Sequence, residues 1–394
     1  MDFNFPGPIE RGIGAEKELI TPPAFREMGI YPLRYAEMDY AIAPVIQAAW
    51  ERRAQSGAHP YMLSDDQEYL ETVKNWLLRR RRWEVATAWI APCYGVAQTV
   101  ISCLRLLTKR GDGVIIQPPV FHNYRKFISL NGRRVIGNPL IYHPGGYEMD
   151  LALLERQMAD PANRLLILCH PHNPVNRVWP LADLEQIARL SRRYAMPVIS
   201  DEVFAEQAFD HQPVPSYGSI PAGQPLAIVC ASLGKAFNLC GGKHGNTVIP
   251  DKALREAFLR QRDADGYTSM DPFFFDAVKA AYSPAGEAWL DASIDYVGEN
   301  VRELRDFLAA RLPRVTFCPP QAGFFAWVDW RGLGLAEDEL HRLLAEKALL
   351  LSDIGSKFGQ EGAGFSRVVL GTPRQSLQTI LRHLGAAAQE LGWI

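Results

Sequence analysis

Between about residue 40 and residue 250 the chain alternates short apolar runs with longer segments whose apolar residues recur at helical spacing. The short runs are Gly113–Ile116, Arg164–Cys169, Pro197–Ser200 and Leu226–Cys230, each bounded by Gly, Pro or polar residues. A strand that is apolar throughout has to be covered on both faces, the environment of a parallel sheet between layers of helix. The intervening segments supply those layers: Leu181 to Tyr194, for example, sets Leu184, Ile187, Ala188 and Leu190 on one helical face. Strand, helix, strand, helix in this order predicts an α/β fold, a mostly parallel sheet with right-handed crossovers.

The last hundred residues read differently. Val301 to Leu312 and Glu337 to Glu346 are amphipathic helices, while Phe324–Asp329 and Arg367–Leu370 are strands. We expect a large domain over residues 40–290 and a small α+β domain over residues 291–394, completed by residues 1–39. Charge narrows the partners. A formal net charge of −2 offers no field to attract nucleic acid or anionic lipid. The one dense basic cluster, Arg79 to Arg82, reads as a solvated helix end. Six cysteines without a C-x-x-C pair argue against a disulfide framework or a zinc site, and Cys103, Cys169 and Cys230 lie within apolar runs. The opening Met1-Asp2-Phe3-Asn4 has no signal-peptide character, and no stretch approaches the ~18 apolar residues of a membrane span. A cytoplasmic location is expected.

In open parallel sheets, ligands bind beyond the carboxyl ends of the strands. Three strand ends here carry polar residues: His170-Pro171-His172-Asn173-Pro174, Ser200-Asp201-Glu202, and Ser232-Leu233-Gly234-Lys235. An amide, a carboxylate and an amine should therefore meet at one sheet edge. Tyr94-Gly95-Val96-Ala97 precedes a helical run from Gln98 to Leu107, and a helix N-terminus opened by glycine suits a phosphate.

These residues resemble those of fold-type I pyridoxal-5′-phosphate (PLP) enzymes, the aspartate-aminotransferase-like fold of the class I/II superfamily. Within that group the chain is similar to the MalY/PatB branch of cystathionine β-lyase-type C–S lyases. Ala36-Glu37-Met38-Asp39-Tyr40 resembles the family's A-D-M-D-F, and Arg11-Gly12 with Lys17 its opening segment. Cys169 to Trp179 resembles C-N-P-H-N-P-x-G-R-V-W, and Ser232 to Asn238 resembles S-x-x-K-x-F-N. Phe358-Gly359 through Arg367 to Pro373-Arg374 matches the C-terminal stretch.

The resemblance implies a role for each position. Lys235 carries the cofactor and moves the substrate α-proton. Asp201 keeps the pyridine nitrogen protonated, and Asn173 bonds the ring's O3′. Gly95, Val96, Ser232 and Lys243 hold the phosphate, with Tyr61 reaching it from the neighbouring subunit of a homodimer. Arg367 forks onto the substrate α-carboxylate. Phe121 stacks on the ring and Phe204 stands beside O3′. Asp39 and Tyr40 are candidate pocket residues, as is the aromatic run Asp271 to Phe275, which reads more readily as core.

Four positions depart from the family pattern. Phe204 stands where histidine or tyrosine is usual, Phe121 where tyrosine is usual, Asn176 replaces a glycine and Val369 an asparagine. The leading expectation is a C–S β-lyase acting on a cysteine S-conjugate or related amino acid, releasing pyruvate and ammonia. Loss of two polar hydrogens at Phe204 and Phe121 keeps open a decarboxylating oxidative deaminase, as in lincosamide-like biosynthesis. Ordinary transamination is a third reading. A non-catalytic regulatory module would be expected to lack one of Lys235, Asp201 and Arg367. A Rossmann dehydrogenase would need a G-x-G-x-x-G that is not present.

Overall fold

The apolar runs pair into one sheet. In the computed structural model, which describes residues 3, 5, 7, 9–12, 14–144 and 146–394, the strands are β1 (Ile90–Cys93), β2 (Gly113–Ile116), β3 (Arg134–Gly137), β4 (Ile141–His143), β5 (Gly146–Glu148), β6 (Asn163–Cys169), β7 (Val198–Asp201), β8 (Ala227–Ala231), β9 (Gly245–Val248), β10 (Thr316–Phe317), β11 (Phe325–Asp329), β12 (Asp353–Ile354) and β13 (Phe365–Val369). The helices that matter below are α1 (Gln67–Arg81), α2 (Val96–Leu107), α3 (Leu181–Tyr194), α4 (Leu233–Ala236), α5 (Pro284–Arg311), α6 (Glu337–Ala348) and α7 (Arg374–Glu390). The large sheet has the order β1-β9-β8-β7-β6-β2-β3. Neighbours from β8 through β3 run parallel, and β9 lies antiparallel to both β8 and β1. A mostly parallel α/β sheet, as the alternating pattern predicts, is what forms.

Burial on both faces follows from the period of a strand. Ile115, Leu166 and Leu168 pack with Leu184 and Ile187 of α3 on one face. Their chain neighbours Val114, Ile116, Leu165 and Ile167 pack with Val100, Cys103 and Leu104 of α2 on the other. The strands β1 and β9 escaped the sequence reading because Pro92, Asn246 and Thr247 interrupt their apolar character. All six cysteines are free, and among the described residues no helix is long and apolar enough to cross a membrane.

The second sheet, β10-β11-β13-β12, is antiparallel throughout. Its apolar side chains Ala326, Val328 and Val368 join Leu304 and Leu308 of α5, Leu340 and Leu344 of α6, and Ile380 and Leu384 of α7. The N-terminal segment runs along this sheet. The Val369 N–H donates to the Leu33 carbonyl at 2.9 Å and the Asp39 N–H to the Gly371 carbonyl at 2.7 Å. Position 290, where the sequence suggested a division, falls inside the 28-residue helix α5. Residues 1, 2, 4, 6, 8 and 13 of the N-terminal segment lie outside the described residues, so its opening Met1-Asp2 does too.

The basic run is a correction. Arg79 is exposed and Arg80 is half-buried against Glu287 and Asp291, but Arg81 is fully buried, with Nη1 2.8 Å from Glu202 Oε2 and Nη2 2.8 Å from Glu206 Oε1. Arg81 continues the stripe of Leu70, Val73 and Leu77, which α1 turns inward. The helical spacing was visible in the sequence; the charge concealed it. This ion pair lies beneath the Asp201 strand end, because Glu202 follows Asp201 directly and accepts the Ser200 hydroxyl at 2.8 Å. Replacing Arg81 by Met leaves two buried carboxylates without their cation. Arg81→Met should cost about 3–5 kcal/mol in urea unfolding, and adding Glu202→Gln should recover part of that loss.

Candidate active site

Three strand ends meet in register. Cys169 of β6 pairs with Asp201 of β7, and Asp201 with Cys230 of β8. The polar residues that follow these positions therefore lie side by side. Asp201 is buried, and accepts from the Tyr124 hydroxyl at 2.5 Å and the Val203 N–H at 3.4 Å. Burial raises its pKa, opposed by those two hydrogen bonds and by the charge of Lys235. Tyr124 is a site residue that the sequence reading missed; its position one helical turn after Phe121, facing the sheet, was the available signal.

Lys235 sits on α4, the single turn that follows β8, and its Nζ donates to the Ala36 carbonyl at 2.8 Å. Ser232 caps this turn, accepting the Gly234 N–H at 3.1 Å and donating to the His244 carbonyl at 3.0 Å. The N-terminus of α2 lies against the same loop. Gly95 has φ +87°, and a Cβ added at Gly245 would come within 3.1 Å of the Gly95 Cα. The Gly95 backbone thus packs against His244 and Gly245, where a Cβ at Gly245 would crowd it and where the positive φ of Gly95 favours glycine. His244 is buried beside Tyr69, whose hydroxyl is 2.9 Å from its Nε2, and burial holds the imidazole down at about 4. Lys243 is exposed.

Several expected pocket residues lie elsewhere. Asp39 is fully buried, its Oδ1 2.6 Å from Lys17 Nζ and also paired with Arg11. Tyr40 is equally buried among Phe5, Trp289 and Tyr296, and its hydroxyl is 2.8 Å from the Ser293 hydroxyl. Both are interior: one oxygen of the Asp39 carboxylate is held by two cations, and the Tyr40 phenol lies in an aromatic cluster. Tyr61 is the opposite case, 91% exposed. In the aromatic run, Phe275 is core, while Phe274 stacks on His244 with centroids 5.8 Å apart.

Phe121 and Phe204 both flank the strand ends. Phe121 makes edge contacts with His122 and Tyr124 at 5.2 and 5.4 Å. Phe204 is buried against Phe324 and Phe325 at 5.8 and 5.2 Å. The change from glycine at Asn176 has a backbone explanation. Asn176 has φ +54°, which asparagine tolerates better than most residues, and its Nδ2 donates to the Phe325 carbonyl at 2.8 Å. That bond ties the loop after β6 to the small sheet.

Arg367 reaches this site from β13. It is buried, with Nη1 donating to Asn173 Oδ1 at 3.0 Å and Nη2 to Asp353 Oδ2 at 2.6 Å. The guanidinium lies over the rings of Phe325 and Phe358 at 4.5 and 4.9 Å, and its Nε has no hydrogen-bond partner among the described residues. Asp353, a residue sequence reasoning passed over, also accepts from Lys357 Nζ at 2.9 Å. Burial alone would raise its pKa, but Arg367 and Lys357 outweigh burial and hold the carboxyl down at about 2. A carboxyl depressed by folding adds stability above its ordinary pKa, and that stability disappears as pH falls through the folded value. Asp353→Asn should therefore lose about 2 kcal/mol near neutral pH. The gap to the native protein should close between about pH 4 and about pH 2, as read from urea unfolding across that range.

The donor set fits PLP. Asp201 is a buried carboxylate that no cation touches directly among the described residues, as a protonated ring nitrogen requires. The N-terminus of α2 with Ser232 suits a phosphate dianion, and Lys235 supplies an amine. Comparison with known proteins agrees. The family model for aminotransferase class I and II matches residues 27–384. The cystathionine beta-lyase PatB of Bacillus subtilis is 32% identical over 90% of this chain and 92% of its own. Protein MalY of Escherichia coli is 28% identical over 90% of each. The solved structure of cystalysin from Treponema denticola, which contains a pyridoxal 5′-phosphate cofactor, superposes with a TM-score of 0.93 at 28% identity, over 99% of this chain and 100% of that one. The chain belongs to the aminotransferase class I and II family, is PLP-dependent with the aspartate-aminotransferase-like fold, and is similar to the PatB and MalY branch.

Proposed function

We propose that this enzyme is a C–S β-lyase acting on a cysteine S-conjugate or a related amino acid. The observation that carries the reading is the joining of Lys235, Asp201 and Arg367 around one sheet edge, in a chain similar over 90% of its length to a cystathionine β-lyase. PLP, when bound, supplies an electron sink for the pair left when a bond to the substrate α-carbon breaks.

The protein's own groups do the rest. Arg367 binds the substrate α-carboxylate; Asp353 and Asn173 fix the plane of the guanidinium, so the fork is aimed before substrate arrives. Asp201 holds a proton at the ring nitrogen, a role its burial strengthens. The amides of Gly95 and Val96 and the hydroxyl of Ser232 bind the phosphate, with Lys243 adding charge at the rim. Lys235 takes the α-proton, after which the thiolate leaves from Cβ. The net change consumes one water and yields thiol, pyruvate and ammonium. In a homodimer, the exposed Tyr61 would reach the partner's phosphate. Domain division follows the two sheets, with residues 1–39 and 291–394 carrying Arg367 and residues 40–290 carrying Lys235.

Phe204 and Phe121 favour a second reading. Both lack the hydroxyl or imidazole usual in the branch, and Phe204 is sealed against Phe324 and Phe325. Without those proton donors, loss of carbon dioxide and oxidation by oxygen becomes a competing route.

Incubation of the holoenzyme under air with an S-substituted cysteine separates the two readings. Thiol, pyruvate and ammonia in equal amounts are the expected products, and Lys235→Ala should lower their rate by at least about a thousand-fold. Carbon dioxide release with the C–S bond intact and oxygen consumed would replace the lyase reading by the second. Turnover only when a 2-oxo acid is added would make the enzyme a transaminase.

A further inference from the structure

Residues 35–40 cross in front of Lys235, and the contacts that hold them there come from the lysine's own loop. Lys235 Nζ donates to the Ala36 carbonyl at 2.8 Å and to Cys240 Sγ at 3.4 Å. The single proton of the Cys240 thiol is shared between the same carbonyl at 3.0 Å and the Gly234 carbonyl at 3.3 Å, so the amine and the thiol both abut the Ala36 oxygen. Its orientation is set from either side. Before it, Tyr35 has φ +61°, a conformation that a bulky residue adopts only under constraint. After it, Asn238 accepts the Met38 N–H at 2.8 Å and donates to the Met38 and Tyr40 carbonyls at 3.0 and 2.9 Å. Asn238 itself has φ +58°, within reach of asparagine. The turn that carries the amine therefore also grips the segment that presents its acceptor.

We propose that Asn238 and Cys240 are positioning residues for Lys235. Together they form, with the Ala36 carbonyl, a resting site that the amine occupies whenever it is not bonded to the cofactor. An amine held at one place and orientation needs less ordering before it attacks the cofactor aldehyde, adding its nitrogen and releasing water. The inference concerns how the lysine recaptures PLP and holds whichever reaction the enzyme catalyses, so its failure is distinct from failure of the lyase reading.

The test uses cofactor-free full-length enzyme mixed rapidly with PLP, with covalent capture followed by absorbance at increasing PLP concentration. Asn238→Gly keeps the left-handed backbone and removes three hydrogen bonds; Cys240→Ala keeps the carbonyl and removes the thiol. The limiting capture rate should fall about ten-fold in the first and about three-fold in the second. The half-saturating PLP concentration should stay within about two-fold, because the phosphate and ring contacts are untouched. Unchanged limiting rates in both variants overturn the proposal, as does a rate loss matched by an equal rise in half-saturation. If Asn238→Gly does not fold, Cys240→Ala decides by the same criterion.

Discussion

Parallel strands buried on both faces leave polar side chains one way out, the strand ends, and the chemistry of this enzyme is arranged around that restriction. The interiors of β6, β7 and β8 are apolar because helices cover them above and below. Polar residues therefore collect just beyond Cys169, Asp201 and Cys230, which the hydrogen-bond register sets next to one another. The carboxylate of Asp201 is costly to bury. It is held by two hydrogen bonds and has burial left to offset, which is what makes it a strong partner for a cationic ring.

The remainder of the site arrives from outside the large sheet. Arg367 comes from the small sheet and meets Asn173 of the large one. Asn176 bonds the Phe325 carbonyl, and Trp327 of β11 donates to the Tyr147 hydroxyl of β5 at 2.9 Å. The N-terminal segment brings the Ala36 carbonyl to Lys235. Three separate stretches of chain thus meet at the strand ends, and the buried pairs Arg81–Glu202 and Lys17–Asp39 lie behind Asp201 and within the N-terminal segment. Breaking either pair would loosen a support of the site without touching a reacting atom.

Much of this was legible in the chain. The helix over Leu181–Tyr194 and the strand Gly113–Ile116 have the bounds that hydrophobic period suggests, since a uniform pattern with a clear stop leaves little choice. Lys235, Asp201 and Asn173 were legible because Asp201 ends such a strand and the other two lie four residues past the end of one. Asp353 and Tyr124 were not, because nothing in their own neighbourhoods distinguishes them. Asp353 lies on a two-residue strand, and its importance comes from Arg367, fourteen residues on and across a strand pair. Arg81 and Asp39 were misjudged for the same reason: local sequence shows a charge but not the opposite charge that burial requires.

The sequence by itself determined the α/β class, the family, the cofactor and which strand ends carry polar groups, since these depend on period and on short motifs read along the chain. Only the tertiary structure decided that Arg367 is fixed by Asp353 and Asn173, that Tyr124 caps Asp201, that Asp39 and Tyr40 are interior, and that Asn238 bonds the Met38 and Tyr40 backbone beside the Ala36 carbonyl that accepts from Lys235. Each of these joins residues far apart in the chain. The free energy of such a contact depends on burial and distance, and neither quantity exists until the fold has formed.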